Sequence, residues 1–180
     1  MNKRPNPCFQ AFIPTCQGPF AAAYSTAGLC KLSFPSRTKI CSPQVQREPP
    51  LEARRWHALT AAAVQNILAG RPAGKLPPLD LAAGTEFQKL VWGALSRIGR
   101  GETRSYAEVA QAIGRPKATR AVGAACGANP IPLLIPCHRV LAANHKLGGF
   151  SGGLHWKRML LAAEQGNLLD GPAAHAFSQD

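Results

Sequence analysis

A chain of 180 residues with 46% hydrophobic and 17% charged positions has the balance of a folded globular protein, which excludes disorder as its main state. Its 21 lysines and arginines against 9 acids leave a formal net charge of +12, which favours an anionic partner, either nucleic acid or an acidic membrane surface. The six cysteines, Cys8, Cys16, Cys30, Cys41, Cys126 and Cys137, form no C-x-x-C pair and have no histidine at zinc-finger spacing, so neither a disulfide framework nor a structural metal is expected.

The opening MNKRPNPCFQAFIPTCQG is basic, but Pro5, Pro7 and Pro14 interrupt it before any long apolar run, which argues against a secretory signal or a membrane span. Residues 1–8 read as a tail. FQAFIP, FAAAYS and CKLSFP are short apolar and aromatic runs separated by Gly18 with Pro19 and by Gly28, the pattern of strands joined by tight turns. SPQVQREPP breaks that meander. LEARRWHALTAAAVQNILAG then sets Leu51, Trp56, Leu59, Ala63, Ile67 and Leu68 at helical spacing and stops at Gly70, and Pro72, Gly74, Pro77 and Pro78 form a linker. The expected N-terminal unit, residues 1–80, is a strand layer with one helix and its linker.

A second unit is expected over residues 84–170, followed by a tail at 171–180. EFQKLVWGALSRI places Phe87, Leu90, Val91, Leu95 and Ile98 on one helical stripe facing the core. In SYAEVAQAI, Ser105 and Glu108 make a capping box at the head of a short helix that ends near Gly114, and RPKATRAVGAACGANP supplies another after a brief turn. Such a pair is either a helix-turn-helix unit or an αα-corner. The second helix carries Ala121, Gly123, Ala124, Ala125 and Gly127, too little side chain for bidentate base reading. It suits close approach to a sugar-phosphate groove, with Arg115, Lys117 and Arg120 on the phosphates and little sequence preference. Between Arg97 and Arg158 ten basic residues stand against two acids, Glu102 and Glu108.

The segment IPLLIPCHRV reads as a strand, IPLLI, ended by Pro136, with Cys137 projecting beside His138 where the sheet stops. A thiol is nucleophilic as thiolate, and an adjacent imidazole takes its proton directly or through a water. GGFSGG brackets Ser151 with glycines whose backbone can approach a ligand closely. On the last helix, from His155 to about Gln165, Trp156, Leu160 and Glu164 share a face, which makes Glu164 a candidate to orient His138 as a base. A cysteine–histidine hydrolase is the other chemistry open to this pair.

Three segments, GTEFQKLVWGAL, GETRSYAEVAQAIGRPKATRAVGAACGANPIPLLIPCHRV and GGFSGGLHWKRMLLAAE, resemble in order and spacing the active domain of the O6-alkylguanine-DNA alkyltransferases, the methylated-DNA–protein-cysteine methyltransferases. IPCHRV is that family's most specific signature, and GPFAAAYSTAGLCKLSF resembles its smaller domain more weakly. The resemblance implies irreversible, stoichiometric transfer of an alkyl group from O6-alkylguanine, with O4-alkylthymine as a further substrate, to Cys137 after base flipping. It implies His138 as base through a water, Glu164 as its orienting acid, Asn129 as brace of the turn before the active cysteine, and Tyr106 as helper in rotating the nucleotide and proton donor to guanine N3. Arg120 would enter the stack in place of the flipped base, with Thr119 and Ala121 beside it on the DNA face. Val140, Ser151, Phe150 and Cys126 would line the base pocket.

The resemblance also implies an α+β fold: a small N-terminal strand layer with a helix, and a mostly helical C-terminal domain with a winged-helix-like helix-turn-helix. The expected partner is double-stranded DNA containing O6-alkylguanine, met by a monomer without cofactor, metal or membrane, in a reducing intracellular compartment: a bacterial cytoplasm or a eukaryotic nucleus. A non-transferring sensor of alkylated DNA that recruits other repair factors is the alternative. Two departures stand out: Phe150 occupies a position where some members have a tyrosine, and Gln165 separates Glu164 from Gly166.

Overall fold

The computed structural model describes residues 9–35 and 50–166. Both expected tails, Cys8, Cys41 and most of SPQVQREPP lie outside the described residues. Three strands, β1 (Phe9–Ile13), β2 (Phe20–Tyr24) and β3 (Leu29–Ser33), form an antiparallel sheet in the order β1-β2-β3. Ile13 faces Phe20 and Phe9 faces Tyr24 across the first pair. Ile13, Phe20, Ala22, Tyr24, Leu29 and Leu32 are buried, so the apolar residues of each strand supply one inner face.

Helix α1 (Leu51–Leu68) covers that face through Ala53, Thr60, Ala63, Val64 and Ile67. Leu51, expected on the same stripe, is 83% exposed. It is the first helical residue, and the buried stripe begins two residues later at Ala53. Thr60 is kept polar-satisfied inside the core by donating its hydroxyl to the Trp56 carbonyl at 2.7 Å.

The linker becomes part of the sheet edge. Leu79 runs parallel beside Leu29, with Leu29 N donating to the Pro78 carbonyl at 2.9 Å and Asp80 N to that of Leu29 at 2.8 Å. Ser25 Oγ donates to Asp80 Oδ2 at 2.5 Å from the adjoining turn. Gly28 makes this approach possible: its φ is +145°, and a Cβ there would overlap the Pro78 carbonyl.

Helix α2 (Glu86–Leu95) starts on a capping box in which Thr85 and Gln88 satisfy each other's backbone amides. Its buried face is centred on Val91, Trp92 and Leu95, and the Trp92 indole donates to the Ala125 carbonyl at 2.9 Å. Leu90, expected in the core, is 53% exposed because it lies on the flank of that face, one helical step of about 100° from Val91. The short strand β4 (Arg104–Ser105) leads into α3 (Tyr106–Ala112), where Ser105 and Glu108 form the expected capping box, and α4 (Thr119–Gly127) follows after a turn through Gly114.

Strand β5 (Val140–Leu141) pairs in parallel with β4, and α5 (Leu154–Glu164) closes the described chain. Trp156 of α5 packs against Phe20 of the sheet, ring centroids 5.3 Å apart, and against Phe34 at 4.9 Å. One hydrophobic cluster therefore runs from Ile13 through Val91 and Val122 to Leu160, each large side chain fully withdrawn from water contributing roughly 1.5–3 kcal/mol. The architecture is α+β.

IPLLI is not a strand. Residues 131–135 make a buried tight turn with Leu133 at φ +72°, and Cys137–Arg139 follow as one 3-10 turn. Pro130, Pro132 and Pro136 have no N–H to give a ladder, and the Asn129 side chain supplies the missing hydrogen bonds instead. Replacing Gly28 with alanine should lower the unfolding free energy by roughly 1–3 kcal/mol, seen as a lower urea midpoint at unchanged slope. An unchanged midpoint would mean that the Pro78 contact does not hold the linker.

Candidate active site

The site starts from Asn129, buried at the end of α4. Its Oδ1 accepts from Ile131 N at 3.0 Å and its Nδ2 donates to the Ile135 carbonyl at 2.8 Å, so one side chain closes the turn from both ends. Cys137 N donates to that same carbonyl at 2.8 Å and Arg139 N to the Pro136 carbonyl at 3.0 Å. Cys137 and His138 are thus set on a rigid 3-10 turn, 4% and 0% exposed.

His138 Nε2 lies 2.9 Å from Glu164 Oε1. A carboxylate only accepts, so Nε2 carries the proton, and Nδ1 is left as a lone-pair acceptor with no partner among the described residues. Burial lowers the imidazole pKa, with Glu164 pulling the other way, which makes neutral imidazole the resting form. Around Cys137 burial pushes the thiol pKa up, opposed by the Asn129 side chain, the Lys157 charge and the backbone amides of residues 137 and 138.

Arg139 is a partner that sequence reasoning missed. Its Nη2 donates to Glu164 Oε1 at 2.7 Å, its Nε reaches both carboxylate oxygens at 3.0 Å, and its Nη1 donates to the Ile98 carbonyl at 2.6 Å. Gly101 N adds a donor to Glu164 Oε2 at 3.2 Å. Burial alone would raise the Glu164 pKa, yet the hydrogen bonds and charge of His138 and Arg139 outweigh it and bring it to about 2.

Lys157 was missed too. It is fully buried, and its ammonium donates to the carbonyl of Val140 at 2.7 Å and to that of Leu147. Burial lowers its pKa to about 8, against the pull of Cys137 and Cys126. The signal was present, since Lys157, Leu160, Leu161 and Glu164 stand at i, i+3, i+4 and i+7, one inner helical face.

Tyr106 begins α3, half-buried, its phenol pKa raised by burial and by Cys126 and Cys137 nearby. Gly148, at φ +65°, lies close enough that a Cβ there would stand 3.3 Å from the Tyr106 hydroxyl. Cys126 is buried, which drives its pKa to about 12. Arg115, Lys117, Arg120 and Ala121 are exposed, with Thr119 half-exposed, along the turn before α4 and its first residues.

The residues expected in the pocket sit in different settings. Val140 is fully buried with its carbonyl on Lys157, Phe150 packs edge-on against Phe34 at 5.5 Å, and Ser151 is exposed. A cavity of about 500 Å³ lies next to Tyr106, walled also by Arg104, Thr119, Ala142, Asn144 and His145, and none of Val140, Phe150, Ser151 and Cys126 lines it.

Residues 86–166 match the family described as 6-O-methylguanine DNA methyltransferase, DNA binding domain. A methylated-DNA–protein-cysteine methyltransferase of Methanosarcina mazei is 51% identical over 108 residues, 58% of this chain and 68% of that protein. The chain belongs to this family. The enzyme of the same name from Mycolicibacterium paratuberculosis is 53% identical over 96 residues, 52% of this chain, and the match spans 58% of that relative's length. Mycobacterium tuberculosis OGT, crystallised in complex with DNA, superposes with a TM-score of 0.70 at 38% identity, covering 87% of this chain and 92% of that one.

The Glu164 cluster makes stability depend on acid in a definite direction. Its folded pKa of about 2 lies below the ordinary carboxylate value of 4.5, so its stabilisation is present above pH 4.5 and is lost as pH falls through 2. The lowered His138 pKa acts in the same sense, because acid favours the unfolded chain in which that imidazole is free to charge. Thermal melts between pH 6 and 2 should therefore fall more steeply for the wild type than for Glu164→Gln. Parallel curves would mean that the carboxylate is not paired.

Proposed function

We propose that the protein repairs DNA by direct reversal, accepting the alkyl group of O6-alkylguanine on Cys137 once per molecule. The observation that carries this reading is the Cys137–His138 turn, with His138 held by Glu164 so that Nδ1 is free to take a proton on a chain of this family. Tuberculosis OGT crystallised with DNA supports a duplex as the partner, and the exposed Arg115, Lys117 and Arg120 beside the small-residue helix α4 suit phosphates flanking a minor groove.

A guanine inside the stack hides its O6 substituent, so the nucleotide must first swing out, at a few kcal/mol that is smallest for damaged pairs. Arg120 fills the gap and Tyr106 steers the backbone. His138 Nδ1 then takes the Cys137 proton through one bridging water, and the imidazolium is held by the Glu164 carboxylate. Lys157 offers the nearby positive charge that the thiolate needs.

In the transfer itself the sulfur lone pair forms the S–C bond as the C–O6 bond breaks, with sulfur, carbon and oxygen in line. The electrons return to the guanine ring, and Tyr106 donates a proton toward N3, recovered from the imidazolium through solvent. Guanine and a thioether on Cys137 are the products. A thioether has no carbonyl or leaving group for His138 to activate, so the acceptor is consumed. Bulkier alkyl groups and O4-alkylthymine fall within the same chemistry, and a monomer suffices because every named group comes from one chain.

Cys137→Ala should transfer no label from a duplex carrying radiolabelled O6-methylguanine while still retarding that duplex in a gel, and His138→Gln should transfer slowly. Label appearing on the alanine variant would move the acceptor elsewhere, and a wild type that retards the duplex without taking label would make the protein a lesion sensor.

A further inference from the structure

The helices α1 and α5 end against each other. Neither has a basic residue in its last turn to meet its free carbonyls and the negative end of its dipole. Arg100, from the segment after α2, takes that place for both: its Nη2 donates to the carbonyl of Gly70, just past the end of α1, and to that of Ala163 in the last turn of α5, at 3.2 Å for the latter. Gly70, at φ +67°, is what lets the two ends meet, since a Cβ there would overlap the Ala163 carbonyl oxygen. Ala163 immediately precedes Glu164, and Gly101, the residue after Arg100, donates its amide to the Glu164 carboxylate. Two residues before Arg100, the Ile98 carbonyl holds Arg139. The segment 98–101 thus grips the backbone before Glu164, its carboxylate and its guanidinium partner at once.

We propose that Arg100 is a positioning residue for the alkyl acceptor: by bridging the carbonyls of Gly70 and Ala163 it ties helix α1 of the N-terminal layer to the end of α5 and so fixes Glu164 against His138. The inference rests on the transfer reading for its kinetic consequence and on the hydrogen bonds alone for its structural one. Without the bridge the last turn of α5 is free to fray, Glu164 wanders from Nε2, and the imidazole no longer presents a fixed lone pair at Nδ1. A misplacement of about 1 Å caused far from the reacting atoms costs up to about a hundredfold in a positioned reaction, so a frayed last turn is expected to cost about tenfold.

Arg100 is exposed, so its truncation removes no core packing. Single-turnover transfer from an O6-methylguanine duplex, followed across pH for the wild type, Arg100→Ala and Arg100→Lys, reads the kinetic side. Arg100→Ala should be slowed about tenfold at neutral pH with its profile displaced to higher pH, where hydroxide replaces the imidazole as base, at unchanged duplex affinity, and Arg100→Lys should recover most of the rate. In parallel, the ring nitrogens of His138 followed by nitrogen-15 NMR should report a single Nε2–H tautomer in the wild type and a mixture in Arg100→Ala. Equal rates, profiles and tautomers in wild type and alanine variant would overturn the proposal. A wild type that transfers nothing counts against the transfer reading instead, and the His138 tautomer in the two proteins then decides the clasp alone.

Discussion

The carboxylate of Glu164 is the constraint on which the rest of the site depends. A buried charge is tolerated only when its partners replace the water it gave up, and here His138, the Nε and Nη2 of Arg139 and the Gly101 amide do so. Three pieces of chain far apart in sequence, the segment after α2, the 3-10 turn at Cys137 and the end of α5, are thereby drawn to one point. Removing a single partner of such a cluster leaves charge unpaired, a loss of about 3–5 kcal/mol. The same carboxylate decides which ring nitrogen of His138 carries the proton, so stability and chemical role come from one contact.

Cys137, by contrast, is positioned almost without regular structure. Three prolines within seven residues, from Pro130 to Pro136, remove the amides that a strand would need, and the Asn129 amide group substitutes for the missing ladder. A turn closed by one side chain and buried on all sides cannot slip register as a strand can. Lys157 then reaches the carbonyls that follow the turn and brings an ammonium near two thiols, Cys126 and Cys137.

Much of this was legible because it follows simple periods. The meander, α1, the Ser105–Glu108 capping box and the inward face of α5 each rest on a pattern of 2 or 3.6 residues or on a fixed cap spacing, and the His138–Glu164 pair follows from the last of these. IPLLI misled because a short apolar run reads alike as strand or as buried turn, and the bonds of Asn129 to Ile131 and Ile135 separate the two. Leu51 and Leu90 show the limit of an apolar stripe at its end and at its flank. Arg139 sits in the signature itself, yet its partners Glu164 and Ile98 are 25 and 41 residues away, and no local pattern announces them. Arg100 is an exposed arginine like any other until the ends of α1 and α5 are seen together.

The most direct test of the account is the intact mass of the protein, with peptide mapping, after incubation with an excess of duplex carrying a single O6-methylguanine. The account predicts a gain equal to one methyl in place of one hydrogen, located on Cys137 and saturating at one per molecule however much duplex is added. An unchanged mass with the duplex bound, or product guanine accumulating beyond one per protein, would contradict it.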